Sequence, residues 1–162
     1  MGIGYALRGS PQERHLEAGR APKKLSIDIS FKEPVGAIQV IRDATSQEVF
    51  QAYSLSDLMA EKIRALLQQE KRNRYRRQDI YDLDMLLAQF PFDSAEKAQL
   101  LAVLRDKCEA RGIKPAQDSL AKPEIIERAK ADWHTLEVEI GEVPDFDECF
   151  ERVNAFYVSL PW

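Results

Sequence analysis

The sequence predicts an α+β protein in which a short partial sheet of about three strands is followed by a mostly helical bundle. Residues 24–32 alternate between apolar and polar side chains, which is typical of a half-buried strand. Two further short strands are predicted at 37–42 and 48–53. From residue 54 onwards the apolar residues recur every three to four positions, as they do on one face of a helix. The predicted segments are a poorly ordered 1–23, a partial sheet at 24–53 and a helical region at 54–162.

The partial sheet needs a covering layer. Three strands cannot enclose a core by themselves, so their apolar face is expected to pack on the helices or on strands that this chain does not contain. An open sheet edge within 24–53 also favours pairing with a second copy, and a homodimer is therefore one expectation.

Five helices are predicted from the hydrophobic period and from capping residues. Their expected bounds are 54–70, 76–89, 94–111, a fourth from Pro123 to before Pro144, and a fifth capped by Asp145 or Asp147. The third is assigned Ser94 as its N-cap; Lys97 then occupies the position where a capping box needs an acid. Gly112 is expected to end that helix. The inward positions predicted for the first helix are Leu55, Leu58, Met59, Ile63, Leu66 and Leu67.

Composition excludes several classes of protein. With 44% hydrophobic and 31% charged residues the chain has the balance of a globular protein, and no apolar run is long enough to cross a membrane. Cys108 and Cys149 are expected to be free thiols in a reducing cytoplasm. His15 and His134 lack ligand-spaced partners, so no His/Cys metal site is expected.

The charges are unevenly distributed although the net charge is only −4. Residues 62–77 contain seven basic residues and one acidic residue, whereas 137–151 contain seven acidic residues and no basic one. The basic stretch can bind an anion locally, or the acidic stretch can pack against it.

One stretch, 53–87, combines features that can bind phosphate. Lys62 lies in the middle of the first helix, and Asp79 and Asp82 lie three residues apart on one face of the second. Between them the turn 71–77 carries five basic residues and Tyr75. Together these could hold a nucleotide phosphate or a nucleic-acid backbone. The ordinary alternative is a charged helix hairpin, with a snorkelling lysine, first-turn acids and a solvated turn.

Asp28 is the best candidate for a metal ligand, because it lies on the polar face of an otherwise apolar strand. The alternative is the solvated face of an edge strand. Two-metal catalysis needs further carboxylates nearby. Asp82 and Asp84 point about 200° apart on a helix, and the pair Asp145/Asp147 is better explained as a helix cap. No complete two-metal site is therefore visible.

Taken in order, these features resemble the AbiEii/AbiGii toxin family of nucleotidyltransferases. The resemblance rests on the strand with Asp28, on AYSLSDLMAEKIRALLQ (52–68), on the basic turn and on RRQDIYDLDMLL (76–87). It implies a polymerase-β-like nucleotidyltransferase fold joined to a helical C-terminal part. It also implies a role in toxin–antitoxin and abortive-infection systems, with nucleotide transfer to tRNA ends in related members.

The resemblance assigns a role to each matching residue. It implies Asp28 as a metal-binding carboxylate, Lys62 as a phosphate contact, and Asp79 and Asp82 as the acidic motif of the next helix. The implied catalytic residues are Asp28, Lys62, Asp79 and Asp82, and the implied phosphate-binding residues are Lys24, Lys62, Arg76 and Arg77. Mg²⁺ and a nucleoside triphosphate, GTP or another, are implied as cofactor and substrate.

The first motif of that family, Gly-Ser followed by Asp-x-Asp, is absent. Gly9-Ser10 is followed by no such pair, and glutamine stands at 69 and 78 where the family has arginine. The expectation is the C-terminal part of a nucleotidyltransferase toxin, truncated and inactive as this chain alone. The alternative is a non-catalytic helical module that binds RNA, such as tRNA, through 71–77, or a partner such as an antitoxin.

Overall fold

The computed structural model describes residues 2–6, 8–11, 13–20, 23–26 and 38–162, and the chain forms two compact units, Met1–Glu33 and Pro34–Trp162. In the first unit, β1 (Gly2–Tyr5) pairs antiparallel with β2 (Lys23–Ser26), and helix α1 (Glu13–Glu17) lies between them in the chain. Little order was expected before residue 24. β1 was not predicted, because two of its four residues are glycines, which are depleted in strands.

The second unit begins with a β-hairpin of β3 (Ile38–Arg42) and β4 (Val49–Tyr53), in which Ile38 lies opposite Tyr53. Both strands were predicted. The described strands form two separate two-stranded sheets rather than one sheet of three, because β2 pairs with β1. The remainder of the predicted strand 24–32, including Asp28, lies outside the described residues.

The hairpin exposes its apolar side chains on both faces. Of the two coverings expected for the sheet, packing on the helices is therefore not the one seen for these side chains, and packing on strands from outside this chain stays a prediction. Six side chains are about half or more exposed: Ile38, Val40, Ile41, Val49, Phe50 and Tyr53. Tyr53 nevertheless contacts the helical part, since the Lys107 ammonium lies 5.9 Å from the centre of its ring.

The rest of the second unit is helical, which confirms the α+β class and four of the five predicted helices. The fourth helix was predicted to continue to Pro144 but ends at Lys130, because Asp132 adopts a left-handed conformation with a φ of 57°. The helices are α2 (Leu55–Gln68), α3 (Arg77–Gln89), α4 (Ser94–Glu109), α5 (Pro123–Lys130), α6 (Glu137–Ile140) and α7 (Phe146–Val158). Two 3₁₀ turns, Ser119–Ala121 and Trp133–Leu136, complete it. These turns and α6 were not predicted, because three or four residues are too few to show a period. No described helix has the length and hydropathy needed to span a membrane.

The core forms where α2 packs on α4 and α3 packs on α7. Met59, Ile63 and Leu66 of α2 are buried as predicted. Leu58 was wrongly placed inward and is 38% exposed. The reason is that Asp57, and not Leu58, turns toward α4 and forms an ion pair there.

The start of α4 differs from the predicted cap. Asp93, and not Ser94, is the N-cap: its carboxylate accepts from the Glu96 N–H at 2.8 Å, and Glu96 accepts from the Asp93 N–H at 2.8 Å. The capping box is therefore complete. The predicted stop is confirmed, because Gly112 has a φ of 63° and the Ile113 N–H reaches the Cys108 carbonyl at 2.9 Å.

Both cysteines are free and buried, as predicted. Burial raises the pKa of each thiol to about 12, so neither is a thiolate at neutral pH.

The cap of α4 gives a direct test. Asp93→Ala should lower the free energy of unfolding by about 0.5–2 kcal/mol, because it leaves N-terminal N–H groups of α4 without a partner. Ser94→Ala is the matched control and should change it by less than about 0.5 kcal/mol. Urea unfolding followed by circular dichroism measures both free energies. A larger loss of unfolding free energy in Ser94→Ala than in Asp93→Ala would mean that Ser94 is the N-cap.

Candidate functional site

Lys62 of α2 meets the first two turns of α3. Its Nζ donates hydrogen bonds to Asp82 Oδ2 at 2.5 Å and to Asp79 Oδ1 at 3.3 Å. The side chains of Lys62 and Asp79 are 19% and 14% exposed, so the cluster is largely covered and still reaches the surface. The spacing of three residues in α3 puts both carboxylates on the face that Lys62 approaches. The structure thus brings together three of the four residues that the sequence suggested as catalytic.

The charged groups of the cluster are not equally stabilised. Burial lowers the pKa of Lys62, but the hydrogen bond to Asp82 and the charges of Asp79 and Asp82 outweigh it, so that the pKa is raised. The pKa of Asp79 is also raised, because burial outweighs the attraction of Lys62 and Arg76. Asp79 Oδ2 explains this cost: it is buried without a hydrogen-bond partner, and Arg76 Nη1 lies 3.7 Å away. Asp79 is therefore the residue of the cluster whose charged form is stabilised least.

A small polar pocket of about 170 Å³ adjoins the cluster. Its lining residues are Tyr75, Arg76, Arg77, Gln78, Asp79, Leu136 and Glu139. Arg77 Nε is buried there without a hydrogen-bond partner among the described residues. The pocket thus contains both predicted phosphate-binding arginines and a carboxylate with an unused acceptor atom.

The basic turn that precedes this pocket is fixed at three points. The buried Gln69 donates from Nε2 to the Ile125 carbonyl of α5 at 2.7 Å. Arg128 of α5 donates to Asn73 Oδ1 at 3.2 Å, and Lys71 donates to the Arg111 carbonyl at 3.5 Å. Asn73 has a φ of 49°, a conformation that asparagine adopts more readily than most residues. The turn is therefore held in one shape by α5 and the end of α4.

The basic side chains of this turn remain accessible. Lys71, Arg72 and Arg74 are exposed. Within the described part of the chain, no acidic side chain forms an ion pair with them or with Arg77. The acidic stretch 137–151 contributes Glu139 to the adjoining pocket, while its Asp147 pairs instead with Lys130 at 2.8 Å.

A second charged cluster was missed by the sequence analysis. Lys107 of α4, which is 4% exposed, lies 3.2 Å from Asp57 Oδ2 and 3.7 Å from Glu61 Oε2. Glu61 also contacts Arg64, whose Nη1 donates to Gln68 Oε1 at 2.5 Å. The available signal was the spacing of Asp57, Glu61, Arg64 and Gln68, which repeats every three or four residues and so marks one face of α2.

The other acidic pairs behave as the sequence indicated. Asp84 turns away from Asp82 and accepts two hydrogen bonds from Arg152 of α7, at 2.7 and 2.8 Å. Burial alone would raise its pKa, but Arg152 holds the pKa of Asp84 below its usual value. Asp145 caps α7 by accepting from the Glu148 N–H at 3.1 Å.

The two remaining predicted site residues belong to the first unit. Lys24 lies in β2 opposite Gly4, and Asp28 lies outside the described residues. Among the residues that the structure describes, no three His, Cys, Asp or Glu side chains form a group that could hold a metal ion.

Comparison with known proteins identifies the family. The model of the family described as nucleotidyl transferase AbiEii toxin, type IV TA (toxin–antitoxin) system, matches residues 5–152. The chain belongs to the AbiEii family. The resemblance drawn from the sequence is therefore confirmed, and an antitoxin is the partner that such a system implies. No curated protein and no solved structure gives a significant match.

The two lysine clusters of this AbiEii chain should differ in their contribution to stability. Lys107→Met should cost about 3–5 kcal/mol, because it leaves Asp57 charged and buried. Lys62→Met should cost about 1–3 kcal/mol, since its cluster reaches solvent. Chemical unfolding at pH 7 measures both, and a larger cost for Lys62→Met would contradict the assignment.

The cost of Lys62→Met should also depend on pH. Removing Lys62 removes a charge that lowers the pKa of Asp79, so burial raises that pKa further. A group with a raised folded pKa favours the folded state as pH falls through that pKa. The deficit relative to wild type should shrink as pH falls from neutral toward the ordinary aspartate pKa, whereas a constant deficit would mean that Asp79 is not the group affected.

Proposed function

We propose that Lys62, held by Asp79 and Asp82, contacts the triphosphate of a nucleoside triphosphate such as GTP in a nucleotidyl transfer reaction. The observation that carries this proposal is the Lys62 Nζ fixed by two carboxylates beside the polar pocket. An ammonium group has three N–H donors. Two are used by the carboxylates, and the third is left for a phosphate oxygen.

The basic turn, and not the cluster itself, supplies the positive charge that favours an anionic ligand. Lys62, Arg76 and Arg77 are balanced by Asp79, Asp82 and Glu139 of the adjoining pocket, whereas the exposed basic residues at 71, 72 and 74 form no ion pair with an acidic side chain of the described residues. Nucleotidyl transfer joins the α-phosphoryl group to an acceptor hydroxyl and releases pyrophosphate. Positive groups that are already in place lower the energy of the charge that develops on the leaving group.

The acceptor in this proposal is RNA or protein, and Mg²⁺ is the expected cofactor with Asp28 as one ligand. The residues described here fit a metal poorly, because Lys62 already engages the two neighbouring carboxylates of the cluster. No step is therefore assigned to a metal at this cluster.

We further propose that this 162-residue chain does not transfer nucleotides by itself. Residues 1–32 contain no Asp-x-Asp pair that could join Asp28 in a two-metal site. Incubation with labelled nucleotides, Mg²⁺ and bulk RNA should leave no labelled product. Transfer that is lost in Asp28→Ala would overturn this proposal.

A non-catalytic module that binds RNA or the antitoxin is the second candidate, favoured by the exposed turn 71–77 with no acidic partner among the described residues. The two candidates differ in one measurement. The enzyme proposal requires a nucleoside triphosphate to bind at Lys62, whereas a pure binding module requires none.

Triphosphate binding tests the proposal. Lys62→Ala should weaken GTP binding about tenfold or more in isothermal titration calorimetry, because it removes the third donor. Lys130→Ala is the matched control, since Lys130 also pairs with an aspartate of a different helix, at 2.8 Å from Asp147. The GTP affinity of Lys130→Ala should stay within about twofold of that of the wild type. Equal binding by wild type and Lys62→Ala would reject the assignment.

A further inference from the structure

We propose that Tyr75 and Arg128 form a stacking platform that, with the basic turn, binds a single-stranded nucleic acid and leads its end toward Asp79. This deepens the proposed function, on which it rests for the transfer step. The binding itself can be measured separately. We call the set Asn73, Tyr75 and Arg128 the Tyr75 platform.

The platform joins groups that are distant in the sequence. The Arg128 guanidinium lies 5.6 Å from the centre of the Tyr75 ring, although α5 follows the turn by about fifty residues. The same guanidinium donates to Asn73 Oδ1 at 3.2 Å, which ties α5 to the turn beside the ring. Tyr75 is nevertheless 55% exposed. A large ring is thus held at the surface by a cation, where it can stack on another planar group.

The surroundings favour a polynucleotide over an acidic protein. Arg72 and Arg74 flank the ring in the sequence, are exposed, and pair with no acidic side chain of the described residues. An acidic protein surface would neutralise these arginines but would offer no planar partner to Tyr75. Single-stranded nucleic acid supplies both, with phosphates for the arginines and a base for the ring.

The platform is also held by hydrogen bonds before anything binds. The turn is anchored at Gln69, Lys71 and Asn73 to α5 and the end of α4. Groups that are already ordered lose little conformational entropy on binding. A flexible loop would lose that conformational entropy on each binding event.

The pocket continues from the platform to the lysine cluster. Tyr75 and Asp79 both line it, and Asp79 Oδ2 is buried there without a hydrogen-bond partner. A strand whose last base stacks on Tyr75 places its terminal sugar at this pocket. The terminal sugar hydroxyl then lies beside Asp79, next to the lysine that holds the triphosphate in the proposed function.

Fluorescence anisotropy with a labelled oligouridylate of about ten nucleotides tests the platform in the full chain. Tyr75→Ala should weaken binding about tenfold, and Tyr75→Phe should keep it within about twofold, because a phenyl ring still stacks. Arg128→Ala should weaken binding and reduce the slope of log affinity against log salt by about 0.7.

Two matched controls separate the platform from general surface effects. Phe90→Ala removes an aromatic residue of similar exposure, 44%, about 20 Å away past the other end of α3. Arg105→Ala removes an arginine that also lies over a ring, 5.8 Å from that of Trp162. Both should bind like wild type. Wild-type binding by Tyr75→Ala, or an equal loss in Phe90→Ala, would overturn the platform.

The result is also distinguishable from the test of the proposed function. Lys62→Ala should lose GTP binding and keep oligouridylate binding, whereas Tyr75→Ala should do the reverse. If Tyr75→Ala keeps oligouridylate binding while Lys62→Ala loses GTP, the platform is wrong and the triphosphate site stands. Loss of both ligands in Tyr75→Ala, with an unchanged circular dichroism spectrum, would mean one shared site and would also overturn the separate platform.

Discussion

The buried contact between Lys107 of α4 and Asp57 of α2 is the constraint on which the helical unit depends. Both side chains are almost fully inaccessible, so each charge needs an opposite charge beside it, and Glu61 at 3.7 Å joins Asp57 in facing Lys107. A buried ion pair adds little net stability over an apolar pair, but it excludes other packing arrangements of the two helices. If α2 turned by one residue, or about 100°, Asp57 and Glu61 would leave Lys107 unpaired in the core.

That restriction matters because Lys62 is the residue next to Glu61. With Glu61 directed at α4, Lys62 must point about 100° away, where α3 presents Asp79 and Asp82. The two charged faces of α2 therefore fix each other. Directly after α2 the buried Gln69 donates to the Ile125 carbonyl of α5, which holds the start of the basic turn against that helix. The core, the lysine cluster and the turn form one connected arrangement rather than three independent features.

Much of this could be predicted from the sequence, and the limits have identifiable causes. The period of apolar residues predicted four of the five main helices, and the spacing of Asp79 and Asp82 predicted a shared face. The buried polar face of α2 was not predicted, because a row of polar residues on a helix is usually solvated. Only the position of Lys107 on α4 shows that this face is buried. The contact of Arg128 with Tyr75 was not predicted, because neither the turn nor α5 has a sequence pattern that indicates which residues of the two segments meet. The cap of α4 was misplaced by one residue because Asp93 and Ser94 are both good caps.

The electrostatics of the lysine cluster explain why Asp79 is the costly residue in it. In the proposed function Lys62 must stay cationic in a partly buried position, and burial alone would lower its pKa. The hydrogen bond to Asp82 opposes that effect most and the charge of Asp79 comes next, so both carboxylates raise the pKa of Lys62. Asp79 lies deeper, with Oδ1 bonded to Lys62 and Oδ2 buried without a hydrogen bond, 3.7 Å from Arg76 Nη1. A site used only for stability would gain from an apolar residue there. In the proposed function the carboxylate is retained because its charge helps to keep Lys62 cationic.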